Sequence, residues 1–223
     1  MTSNVECGGR VRADSVSYRS GLLVVAAMVA ALLAWPGAGE AQVDLSGPTS
    51  TLIGTLLGTT TSLADTGILA AGTSDVLDAS SLTGGVGSLV AGEVLHAVTI
   101  GYPDQIDSEA SLAALALNVA GTNIGADFVM ARAMAVGGGA SGVSNIDGLS
   151  IDGVPIPVTG DPNQTIGIPG GVLTINEQQV AADGTLVVNA LHAVVSGVAD
   201  VVVGSAMAGA SGGNAKAVQA TSF

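Results

Sequence analysis

Aromatic residues make up 2% of this 223-residue chain, basic residues number 5, and the one cysteine is Cys7. Each scarcity excludes something. Five Lys and Arg against 18 Asp and Glu give a formal charge of −13, and such a surface repels phosphate backbones. Nucleic acid is therefore excluded as a partner, and an anionic membrane surface is disfavoured. Few aromatics leave little for a glycan to stack on and no girdle for an outer-membrane barrel. A lone cysteine forms no internal disulfide, so an apolar core must hold the fold.

Long apolar runs are scarce too. The one near the start, "GLLVVAAMVAALLAWPGAGEA", has its core from Leu22 to Ala34, shorter than the ~20 residues that span a bilayer. Arg10, Arg12 and Arg19 precede it, and Pro36 and Gly39-Glu40-Ala41 close it. A basic lead, a short apolar stretch and small residues before a cut are the parts of a secretory signal peptide. Residues 1–41 are expected to be that signal, cleaved after Ala41; an uncleaved anchor is the alternative. The lack of an Arg-Arg pair points to the general export route. Cleavage takes away Cys7, Tyr18 and Trp35 with three residues of each sign, so the balance stays at −13. Only Arg132 and Lys216 then remain as fixed positive charges. The mature protein is expected to be secreted, with no transmembrane segment.

What is present is Gly, Ala, Val and Thr in short patterns. Residues 42–92 form a Gly/Ser/Thr-rich segment with scattered apolar pairs, expected to be partly ordered. Residues 93–213 are expected to form the main domain, and residues 214–223 a flexible tail. Within the domain two stretches resemble copies of one unit, "SLAALALNVAGTNIGADFVMARAMAVGGG" and "TLVVNALHAVVSGVADVVVGSAMAGASGG". The first reads as helix by propensity; the second is Val-rich and carries Gly204 in mid-run, which suits strands. A shared fold makes both strand-turn-strand units. Laid side by side, Leu112, Ala116 and Leu117 meet Leu186, Ala190 and Leu191, which places Asn118 against His192.

Between the copies, Asp147-Gly148 and Asp152-Gly153 supply hairpin turns. Pro155, Pro157, Pro162 and Pro169 restrict the strands there to short or edge positions. The expected fold is all-β, an antiparallel β-sandwich, with a β-solenoid as the alternative.

Several runs carry a family resemblance: "SLADTGILA" at 62–70, "SEASLAALAL" at 108–117, "SNIDGLSIDG" at 144–153, "DPNQTI" at 161–166, "LTINEQ" at 173–178 and "VVNALHAVVSGVADVVVGSA" at 187–206. In these the chain resembles the choice-of-anchor P family. The resemblance implies an exported bacterial surface protein and carries no catalytic residues. The tail "GASGGNAKAVQATSF" departs from anchored members, having no apolar segment, basic stop-transfer cluster or sortase-type motif. Release or noncovalent retention is expected instead.

Candidate chemistry rests on few residues. His96 and His192 both sit in Leu-His-Ala-Val. Because the copy has Asn118 where His192 stands, and an amide cannot be a base near neutral pH, His192 is expected to be structural. Simple alternation along 186–195 puts His192 on one face and Asn189 on the other, so the two form no common site. "DQIDSE" offers Asp104, Asp107 and Glu109 as hard oxygen ligands for Ca²⁺, but the spacing does not match the 12-residue EF-hand loop. A solvated acidic loop is the expectation. Asp127 and Asp200 are expected to cap turns, and Arg132 to pair with an acid or reach a sheet edge. The glycines at 137–139 and 170–171 lack the context of a phosphate loop. No catalytic, cofactor-binding or metal-binding residue is assigned. The expected function is a noncatalytic surface or extracellular matrix-type protein, structural or adhesive, meeting cell-surface or matrix components. The alternative is an extracellular glycan-binding module or glycan hydrolase.

Overall fold

A computed structural model describes residues 59–137 and 139–222; the expected signal peptide and residues 42–58 lie outside the described residues. The described residues contain thirteen strands and no helix. They form two antiparallel sheets packed face to face, as expected for a β-sandwich.

The first sheet contains β1 (Thr59–Asp65), β9 (Gln164–Ile168), β10 (Gly171–Val180), β11 (Leu186–Val195), β12 (Ala199–Gly209) and β13 (Gly212–Ser222). The second contains β2 (Val76–Val86), β3 (Val90–Gly101), β4 (Gln105–Val119), β5 (Thr122–Val136), β6 (Gly139–Asp147), β7 (Ser150–Ile151) and β8 (Val154–Pro155). The second sheet is a meander from β2 to β5, whose far edge pairs β6 and then β7. The first is a meander from β9 to β13, closed by β1 pairing with β13. First and last strands are thus neighbours, and β12 faces β4 and β5 across the core.

The two expected hairpins are present, β4–β5 and β11–β12. The Asp-Gly turns hold as well: Gly148, Asp152 and Gly153 all have positive φ, and Asp152-Gly153 makes the two-residue turn between β7 and β8. The domain limits need correction. β1, β2 and the start of β3 precede residue 93, and the expected tail is strand β13, paired on both sides. Its inward residues are small, Ala215 and Ala220 with Val218, so the segment resembles low-complexity sequence while filling the core. Much of the interior is alanine and glycine. A side chain at Gly142 would strike Val188 from the opposite sheet at 2.3 Å, so the layers approach closely there.

A seam crosses both sheets. In the first it runs through Asn176, Ala190, Gly204, Ala217 and Ala64, each skipped in the pairing register. Asn176, Gly204 and Ala64 take φ near +50° to +65°. In the second sheet Val94 and Ala114 do the same at φ 50°. Such a residue interrupts alternation, so the inward set slips by one place along each strand. On β11 Val188 is buried and so is Leu191; on β12, Val203 and Ala206; on β4, Leu112 and Leu115; on β5, Ala126 and Val129.

Polar groups tie the layers at two points. Thr66, Thr99 and Ser108 form a hydroxyl chain with 3.2 Å links from the end of β1 into β3 and β4. Gln178 on β10 donates from Nε2 to the Gly142 carbonyl of β6 at 3.2 Å.

Candidate functional site

The seam decides where the polar residues of the opening repeat point. Because alternation slips at Ala190, Asn189 and His192 share the outer face of the first sheet. The expectation that they oppose each other is corrected: both bind one oxygen. Asn189 Nδ2 donates to Glu177 Oε2 at 2.6 Å, and His192 Nδ1 meets the same Oε2 at 2.8 Å. His192 Nε2 meets Asp200 Oδ1 at 2.8 Å. Gln179 Nε2 donates to Glu177 Oε1 at 2.9 Å, and Ser205 Oγ donates to Asn189 Oδ1 at 2.7 Å. The group spans β10, β11 and β12, held in place by the ladder that sets Glu177 beside Asn189 and Asn189 beside Ser205.

Burial pushes the His192 imidazolium down, but its hydrogen bonds to Asp200 and Glu177 outweigh this and raise its pKa to about 9. Burial likewise pushes Glu177 up, and its bonds from His192 and Asn189 bring it net below the usual range. The result is a cation between two anions near neutral pH. A general base needs a free ring nitrogen, and both nitrogens here face carboxylates. A neighbouring nucleophile is missing from the group as well, since the Ser205 hydroxyl points at Asn189 rather than at the ring. The arrangement ties three strands together.

His96 lies elsewhere, on the outer face of β3 in the second sheet, with Nε2 2.9 Å from Asp78 Oδ2. The shared tetrapeptide therefore places its two histidines on different sheets, His96 against one carboxylate and His192 between two. Asp104 sits apart from both, in the turn before β4, lining an open hollow of about 290 Å³ with Pro103, Ile106, Val136 and Asp183. The acidic "DQIDSE" run is corrected from a loop: Asp107 and Glu109 are in β4. Asp107 accepts from Arg132, at 2.9 Å from Nε and with a second bond from Nη2, which meets the expectation of an acid partner for Arg132.

Neither expected turn cap is one. Asp200 is the histidine's partner, and Asp127 lies on the seam of β5, packed against Gly148. Gly137 lies in the β5–β6 turn and Gly139 opens β6, with residue 138 outside the described residues; Pro169-Gly170 makes the β9–β10 turn and Gly171 opens β10. The copy register also shifts. Val119 and Val195 end the first strands of the two hairpins, and Ala114 and Ala190 mark their seams. On that footing His192 corresponds to Ala116, not Asn118.

Glu177 and Ser205 are not among the sequence candidates, and simple alternation sets Asn189 apart from His192. The one signal for them was the polar run Asn176-Glu177-Gln178 followed by Asn189 and His192, part of the resemblance. They form two hydrogen-bonded groups: Asn176 Nδ2 holds the Gly160 carbonyl at 3.0 Å and Gln178 Nε2 reaches Asn176 Oδ1 at 3.0 Å, while Glu177 binds Asn189 and His192. Compared with protein-family models, curated proteins and solved structures, the chain matches none.

Proposed function

We propose that this is an exported bacterial surface or extracellular matrix-type protein whose sandwich serves as a structural or adhesive body rather than a catalyst. The observation that carries the noncatalytic reading is His192, both of whose ring nitrogens face carboxylates. A histidine so held contributes cohesion across β10–β12 and offers no lone pair to a substrate. The export reading rests on the short apolar run after Arg19, the small residues ending at Ala41, and the resemblance to choice-of-anchor P proteins.

A glycan role gains no support from the aromatic side chains. Among the described residues these are Tyr102, in the turn after β3, and Phe128, in the middle of β5, and they form no shared platform. The export reading is tested by expressing the chain with its own N-terminus in a bacterial host and weighing the protein in the medium. A mature chain starting at Gln42 is expected. A product that keeps Leu22–Ala34 contradicts secretion.

A further inference from the structure

The sheet edges differ in how well they are guarded. In the first sheet, β9 is five residues long and lies between Pro162 and Pro169. In the second, β8 is two residues long and contains Pro155, and the Gly142 carbonyl of β6 is taken by Gln178. Short strands, prolines and covering side chains are the devices that blunt an edge. β2 is long and proline-free, with one covering bond, from Ser81 Oγ to the Thr83 carbonyl at 2.7 Å. It runs eleven residues without Lys, Arg or Pro, and β3 is its only paired neighbour among the described residues. Its open flank presents backbone donors and acceptors that an added strand would satisfy.

The seam crosses the middle of this edge. There Leu82 is 82% exposed, beside Val94 of β3 at 59%. A solitary exposed leucine is ordinary; one at the midpoint of an open edge supplies an apolar contact just where a new strand would lie.

We propose that β2 is a self-association edge, on which two copies of this chain pair β2 with β2, antiparallel about a two-fold axis at Leu82. Identical strands meeting this way form an isologous, self-closing contact. The register sets Leu82 opposite Leu82, Ser81 opposite Thr83, Ser80 opposite Gly84 and Asp78 opposite Val86. Asp78 is the only charge on the strand, and it meets a valine. On a chain of net charge −13, this strip lets two copies meet without opposing like charges. Ala79–Val86 also offers a basic segment no carboxylate, which favours a second copy over a cationic partner. The two second sheets would then run on as one.

The test is sedimentation of the full chain, purified from the cell, and of its Leu82→Lys and Leu82→Glu variants, alone and mixed. The expected result is a wild-type dimer, a monomer for each variant alone because like charges face across the axis, and a dimer again in the equal mixture. Circular dichroism of each variant verifies the fold. As a second measurement, Leu82→Cys in a Cys7→Ser background should oxidise to a covalent dimer, since opposed Cα atoms of an antiparallel pair lie about 4.5–5.5 Å apart, within disulfide reach. A wild type that stays monomeric, a dimer that persists in both charged variants, or the lack of a Leu82→Cys crosslink each overturns the proposal. A monomer would leave the edge to an extended segment of another protein. None of these outcomes depends on export.

Discussion

His192 and Asn189 stand three residues apart on one strand, yet both reach the same oxygen, Oε2 of Glu177. Regular alternation would put them on opposite faces. The slip at Ala190, where the pairing skips both Ala190 and Gly204, brings them together. A backbone irregularity thereby assembles a polar site that the side-chain pattern alone does not reveal.

Removing the imidazole leaves Glu177 and Asp200 without their shared cation. His192→Leu should destabilise the fold by about 1–3 kcal/mol, because it strands two partly buried carboxylates. His192→Asn should fall between it and the wild type, since an amide still donates but carries no charge and is shorter. The other hairpin has Ala116 at the matching place, so it offers no precedent for a mild Asn substitution. Urea unfolding of the three proteins measures the order. An activity or metal content that vanishes in both variants while stability stays unchanged would sink the structural reading.

Stability should vary with pH in a defined window. His192 has a raised pKa, so its contribution is complete below about 6.5, declines as pH rises and is gone above about 9. Glu177 has a lowered pKa, so its contribution is complete above 4.5 and is lost as pH falls through its folded value. The alkaline loss should be on the order of 2 kcal/mol after allowance for solvent screening. Thermal unfolding from pH 6 to 10 measures it, and in His192→Leu this limb should flatten. An equal alkaline limb in the variant would assign the effect to other groups.

The seam predicts opposite signs for two small changes. Gly204→Ala puts a side chain at φ 65°, with the new Cβ 3.3 Å from that of Ala190, and should cost about 1–2 kcal/mol. Val94→Gly removes a branched side chain from φ 50° at an exposed position, and should be neutral or stabilising. Unfolding midpoints of the two variants decide it. Equal losses would mean that the left-handed positions carry no strain.

Much of the fold was legible. The Asp-Gly turns, the confinement of Pro155 to an edge strand and the Val-rich second hairpin all pointed to short antiparallel strands. The helical look of "SLAALALNVA" has a physical source in the seam: Leu112 and Leu115 both face inward three residues apart, the spacing of a helix, because alternation slips between them. The same slip hid the site, since it moves His192 onto the face of Asn189. β13 escaped notice because its core side is mostly alanine, which reads as filler. Glu177 was missed because its partners are remote in sequence, and the histidine's second carboxylate, Asp200, stood where a turn cap was expected.

At the surface, Arg132 bonds both carboxylate oxygens of Asp107 on the outer face of the second sheet. Exposed pairs contribute little, so Arg132→Ala should cost no more than about 1 kcal/mol, and less at high salt. Chemical denaturation in low and high salt compares them. A loss several times larger would mean that this pair, rather than the core, organises the sheet.

The tie across β10, β11 and β12 turns on the protonation of one ring. Nitrogen-detected NMR of His192 at pH 7.5 should show both ring nitrogens protonated and hydrogen-bonded, with a titration midpoint near 9. In Glu177→Gln that midpoint should move toward 6.5, as one of the two anions is lost. A neutral ring at pH 7.5, with one bare nitrogen and a midpoint near 6.5, would contradict the claim that His192 is a cation clamped between Glu177 and Asp200.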